Sequence, residues 1–182
     1  MAAQLRRRTV DQDRLLAGMV RLLDATGIRI GNEVYERDND SIGLTTLRWA
    51  HVTLHGDSVA LAFPAKSGRR ASLAVRDRPL GRLFAEIADR PRRRVFRDRG
   101  RPLKPDELNG FLAAATGEHV TAKDFRTWRG TVTALTFLRT LPPDRRPTRR
   151  NALAALDAAA ASLGNTRSVA RAHYVHPGII DA

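Results

Sequence analysis

Between residues 9 and 26, Leu15, Leu16, Met19, Val20, Leu22 and Leu23 recur at helical spacing, and Gly27 follows as a stop. The pattern predicts an amphipathic helix, preceded by a frayed basic lead-in over residues 1–8 that carries three consecutive arginines. The stretch RIGNEVYERDNDSIGL comes next, and Gly31, Asn32, Asn39, Asp40 and Gly43 break it into turns. Alternating apolar and polar positions then take over in VALAF and ASLAV, with turn residues at His55-Gly56-Asp57-Ser58 and Ser67-Gly68. Strands are predicted over Thr45–Leu54, Val59–Pro64 and Arg70–Val75, joined as an antiparallel meander. Lys66 falls at the tip of the second hairpin.

After Arg78-Pro79 the period becomes helical and stays so. Leu80, Leu83, Phe84 and Ile87 form one stripe, closed by Arg90-Pro91, and the basic stretch from Arg92 to Lys104 reads as a solvated loop. Helices follow over Pro105–Thr116, with Leu108, Phe111 and Leu112 inward, and over Thr121–Leu141, the latter whole or bent. Pro142-Pro143 ends that helix, PDRRPTRR is a loop, and an alanine-rich helix runs from about Thr148 to Leu163. Gly164 caps it, and Thr166 opens a short helix carrying Arg167, Arg171 and Tyr174, with no apolar run after the tyrosine to pack against. The fold class is therefore α+β and mainly α-helical, a small three-stranded antiparallel meander in the N-terminal third packed with a helical bundle. No repeat or linker divides it, so residues 9–182 read as a single domain.

Composition sharpens this outline. No apolar stretch spans a bilayer, no apolar segment follows the N-terminal arginines, and cysteine is absent, so a soluble, cytoplasmic protein without disulfides is expected. Lysine and arginine number 32 against 19 acids, a net charge of +13 spread along the chain. Such a distribution points to a broad face for a polyanion, and nucleic acid is the natural partner. Only Lys66, Lys104 and Lys123 are lysines. Lysine can surrender a proton and arginine effectively cannot, so each of the three invites a chemical question. Tyr174 invites another. Among arginines and histidines near the chain end it is either a half-buried structural tyrosine or a nucleophile toward a cation-clamped phosphate. The histidines at 51, 55, 119, 173 and 176 have no zinc spacing, so neither metal nor cofactor is expected.

Four separated segments, in order, resemble the type IB DNA topoisomerases of the bacterial and poxvirus-like branch. They are RIGNEVYERDNDSIGLTTLRWAHV, FPAKSG, TAKDFRTWRGT and LGNTRSVARAHYVHP, and together they run over nearly the whole chain. The resemblance implies the catalytic domain of an enzyme that nicks one DNA strand, lets it swivel and reseals it without ATP or metal. It also implies that the β-rich domain of about a hundred residues that precedes this region in relatives and closes on DNA is absent here. A nucleoid-associated, monomeric protein is expected.

Residue by residue, the match makes Arg29 and Arg126 the two catalytic arginines, Lys66 the general acid and Tyr174 the nucleophile. Asn165, nine positions before Tyr174, stands where poxvirus and eukaryotic members carry histidine. The expected DNA contacts are Arg48, Arg69, Arg70, Lys123, Arg129, Arg167 and Arg171, with a structural role as the other reading of Arg129. His51 is expected to be structural, and His173 and His176 to face phosphate or solvent. The residue types suit the chemistry. Attack on a phosphodiester builds charge on nonbridging oxygens, which guanidiniums clamp with paired donors, while the departing 5′ oxygen needs a proton from a group able to release one. Two alternatives share features of this set. A tyrosine recombinase is expected to have histidine three positions before the second arginine, where this chain has Lys123. A truncated DNA-binding relative would have no need of the full constellation.

Overall fold

The computed structural model describes residues 2–5, 9–142 and 148–180. The chain folds as two compact units, Met1–Ala122 and Lys123–Ala182. In the first unit the expected lead-in is not frayed over residues 2–5, where α1 (Ala2–Leu5) buries Leu5 and packs on α2 (Gln12–Thr26); Met1 and Arg6 to Arg8 lie outside the described residues. The Asp11 carboxylate caps α2 by accepting the Arg14 N–H at 2.9 Å, and Gly27 closes it in the left-handed conformation at φ 63°. Its apolar face is buried as the periodicity requires. Arg14 lies on the same face, 4% exposed, and donates both guanidinium nitrogens to Glu86 at 2.6 and 2.9 Å.

The three-stranded antiparallel meander forms. Strands β1 (Val52–His55), β2 (Ser58–Pro64) and β3 (Arg70–Arg76) pair antiparallel in sequence order, with Val52 opposite Leu61 and Val59 opposite Val75. Val59, Leu61 and Phe63 of β2 are buried, and α2 and α4 (Arg78–Glu86) cover the sheet. Phe84 of α4 meets Trp49 and Phe96 edge-to-face, with centroids 5.8 and 5.6 Å apart. Helix α5 (Pro105–Thr116) has the expected bounds.

Three expectations for this unit need correction. The first strand does not begin at Thr45. Residues 44–46 form a turn, a 3₁₀ turn follows at Trp49–His51, and β1 starts only at Val52. The hydroxyls of Thr45 and Thr46 bond nearby backbone instead of leaving it to a ladder. The predicted turns after Gly31 contain a helix, α3 (Glu33–Asn39), whose first turn is capped by the Asn32 side chain accepting the Val34 N–H at 2.7 Å. The basic stretch from Arg92 to Lys104 is not all solvated loop. It folds a tight hairpin, β4 (Arg97–Asp98) with β5 (Arg101–Pro102), and buries Val95, Phe96 and Leu103. Arg99 and Gly100 turn it with positive φ at both positions.

The second unit comprises α6 (Ala122–Arg139), which begins on the last residue of the first, α7 (Arg149–Leu163), α8 (Arg167–His173) and α9 (Pro177–Ile180). Of the predicted PDRRPTRR loop, residues 143–147 lie outside the described residues; Thr148 caps α7 by accepting the Asn151 N–H at 3.3 Å. Gly164 ends α7 at φ 62°. The core of this unit is Ala134, Ala155, Leu156, Ala159 and Val175, with Phe137, Leu138, Ile179 and Ile180 packed against it. An apolar run therefore does follow Tyr174, contrary to expectation, and it anchors the segment. Among the described residues, no helix is long and apolar enough to cross a membrane.

Candidate active site

In the first unit, backbone pairing holds Arg29 in place. Its carbonyl accepts the Leu44 N–H at 2.8 Å, and the Ile30 carbonyl accepts both the Thr45 N–H at 2.8 Å and the Thr45 hydroxyl at 3.0 Å. Gly31 and Gly43 let the two segments meet. Gly31 has φ +82°, and a Cβ on Gly43 would stand 2.5 Å from the Gly31 N and Cα and 2.7 Å from the Arg29 carbonyl oxygen. The Thr46 hydroxyl closes the latch by accepting the Gly43 N–H at 2.9 Å. Gly43→Ala is therefore expected to destabilise the protein by about 1–3 kcal/mol, as overpacking does. Gly110→Ala, in α5 where an added methyl meets nothing, is expected to gain about 0.5–1 kcal/mol. Denaturant midpoints of the two variants check both signs.

Helix α3 buries none of its residues and is held by charge. Glu36 accepts from Arg48 at 3.1 and 3.3 Å and from Arg94. Burial alone would raise the Glu36 carboxyl, but the hydrogen bonds and charges of the two arginines outweigh it and hold its pKa below the usual range. Arg48, expected on DNA, thus spends its guanidinium on Glu36 and on the Arg92 carbonyl at 3.1 Å. His51 accepts the Arg48 backbone N–H on Nδ1 at 3.2 Å, closing the 3₁₀ turn. Burial, then the Arg48 charge, lower its pKa. Glu36, Arg94, Thr45 and Thr46 were not singled out in the sequence; an Asn before an acidic first turn was the local sign of α3.

Lys66 stands, exposed, on a 3₁₀ turn (Lys66–Gly68) between β2 and β3, flanked by the exposed Arg69 and Arg70. Its Nζ lies 5.9 Å from the Tyr35 ring centroid, a cation–π contact across to α3.

In the second unit, the structure brings Arg126 and Tyr174 together. Arg126 is 4% exposed, its guanidinium carbon 4.8 Å from the Tyr174 ring centroid and its Nη2 donating to the Leu163 carbonyl at 3.0 Å. Burial pushes the Arg126 pKa down while the hydrogen bond and charge of Tyr174 oppose it, and a guanidinium stays protonated regardless. The Leu163 carbonyl belongs to the corner that presents Asn165, whose own N–H donates back to Ala160 at 2.8 Å. Tyr174 is half-buried at the C-terminus of α8. Lys123 and Arg171 are exposed, Arg129 is partly buried, and Arg167 forms a two-pronged ion pair with Asp157 that ties α8 to α7. His173 and His176 are exposed beside the tyrosine. Among the described residues no group of three His, Asp or Glu side chains is placed to hold a metal ion.

Comparison with known proteins gives the family of the chain. The "DNA topoisomerase 1B" of Acanthamoeba polyphaga mimivirus is 27% identical over 184 residues, covering 91% of this chain and 53% of the viral protein. The chain thus spans about half the length of this curated relative. The family model of the eukaryotic DNA topoisomerase I catalytic core matches residues 1–178, and on that extent of match the chain belongs to the type IB topoisomerase family and corresponds to its catalytic domain.

Proposed function

We propose that the protein relaxes supercoiled duplex DNA by cutting one strand through a 3′-phosphotyrosyl intermediate at Tyr174 and resealing it, with no need of ATP or a metal ion. The observation that carries this reading is the buried Arg126 guanidinium set against the Tyr174 ring. A phosphate attacked by that phenol would meet a permanent cation already dehydrated and in position, so little reorganisation is needed as charge develops. In this reading Arg29 supplies the second guanidinium, Asn165 a neutral amide donor, and Lys66 the proton for the departing 5′ oxygen. The transesterification conserves the phosphodiester energy in the tyrosyl ester, which the freed 5′ hydroxyl then attacks to reseal the strand.

Arg69, Arg70, Lys123, Arg129 and Arg171 are assigned to DNA phosphates. Arg48 and Arg167 would join them only in competition with Glu36 and Asp157, their carboxylate partners. A monomer acting on nucleoid DNA in the cytoplasm completes the reading. Incubation with supercoiled plasmid in EDTA, without nucleotide, is expected to yield relaxed topoisomers on a gel. Plasmid that stays supercoiled at every enzyme level, or that relaxes only when a divalent cation is added, would reject the proposal.

A further inference from the structure

Helix α6 does more than deliver Arg126. One turn further on, Gly130 and Thr131 meet the backbone of the tyrosine segment. A Cβ on Gly130 would stand 2.5 Å from the Tyr174 carbonyl oxygen, 3.2 Å from its carbonyl carbon and 3.1 Å from Leu163 Cδ1. The Thr131 hydroxyl works in both directions there, donating to the Tyr174 carbonyl at 3.4 Å and accepting the His176 N–H at 3.0 Å. From the other side, the Tyr174 and Val175 N–H groups donate to the Ala170 carbonyl at 2.9 and 3.0 Å, and the Val175 side chain is buried. Residues 126 and 130 lie one helical turn apart on one side of α6, and Thr131 is the next residue round the helix.

We infer that Gly130 and Thr131 are positioning residues that seat the nucleophile's backbone at a set reach from Arg126. Because one continuous stretch of α6 carries both the seat and the guanidinium, the distance between Arg126 and Tyr174 is built into the hexapeptide Arg126 to Thr131. The inference rests on Tyr174 being the nucleophile. Cleavage and resealing share one transition state, so a displaced seat slows both by the same factor and leaves DNA affinity unchanged.

The test is single-turnover cleavage and resealing of a labelled duplex by wild type, Thr131→Val, Thr131→Ser and Gly130→Ala, together with amide hydrogen exchange at His176. Thr131→Val is expected to lower both rate constants about 10- to 100-fold at undiminished amplitude, the scale of a misplaced reacting group. Gly130→Ala should cost more, and Thr131→Ser should restore most of the rate. The His176 amide should exchange faster in the valine variant and slowly in the serine one. A merely structural role would reduce the amplitude, through a smaller folded fraction, and leave the rate constant alone. That result, or a valine variant with the wild-type rate constant, or unchanged exchange at His176, would overturn the inference. A wild-type protein that forms no adduct would instead overturn the proposed function, while the exchange measurement would still report on the seat.

Discussion

Tyr174→Phe is expected to bind duplex DNA as the wild type does and to form no covalent adduct at all. The substitution keeps the ring, and with it the face that Arg126 packs on at 4.8 Å. It keeps the backbone bonds to Ala170 as well, so the end of α8 remains in place. Only the attacking oxygen is lost, and with it the hydrogen bond to Arg126. Denaturing gels of a 3′-end-forming labelled strand should show a shifted species for wild type alone. Tyr35 is the only other tyrosine, 59% exposed on α3, and an adduct that survives in the variant would move the nucleophile there.

Lys66→Ala is expected to slow cleavage of ordinary DNA by ~10²–10⁴, the usual worth of a positioned acid. It should recover most of that loss on a strand whose 5′ bridging oxygen is replaced by sulfur. A thiolate departs without being protonated, so the missing acid ceases to matter. The side chain is exposed on a hairpin tip and lies against the Tyr35 ring, so its removal should leave the thermal midpoint within about 0.5 kcal/mol equivalent of wild type. An equal deficit on both substrates would make Lys66 an electrostatic contact instead of an acid.

Much of the architecture was legible along the chain. Helices α2, α5 and α7 matched their apolar periodicity and their caps, and the meander matched its alternation. These signals are local: a stripe tells which face is apolar, and a cap satisfies orphan N–H groups within one turn. The elements that were missed take their stability from elsewhere. Helix α3 has no buried face, and its Glu36 is held by Arg48, twelve residues away, and by Arg94, fifty-eight away. Thr45 and Thr46, strand-like in composition, became a latch because the carbonyl of Ile30 and the amide of Gly43 were within reach of their hydroxyls. The hairpin of β4 and β5 hides in a basic stretch because only three side chains, Val95, Phe96 and Leu103, point inward.

The candidate site divides along the same line. Residue types and spacing alone marked a tyrosine among cations and a rare lysine on a hairpin tip, while the two arginines, Arg29 and Arg126, were marked by the resemblance to the topoisomerase family. High positive charge also marked a polyanion as partner. Part of that charge, though, is spent on the protein's own ion pairs, in which Arg14, Arg48, Arg94 and Arg167 neutralise carboxylates. No local pattern foretold which cations those would be, since each pair joins separate elements. Nor did one show that Arg126 would be buried against Tyr174, or that Gly130 and Thr131 would receive the tyrosine's backbone. Those contacts join residues more than forty positions apart, and they exist because Val175, Ile179 and Ile180 bury themselves against α6 and α7 and draw the chain's last turn onto the arginine helix.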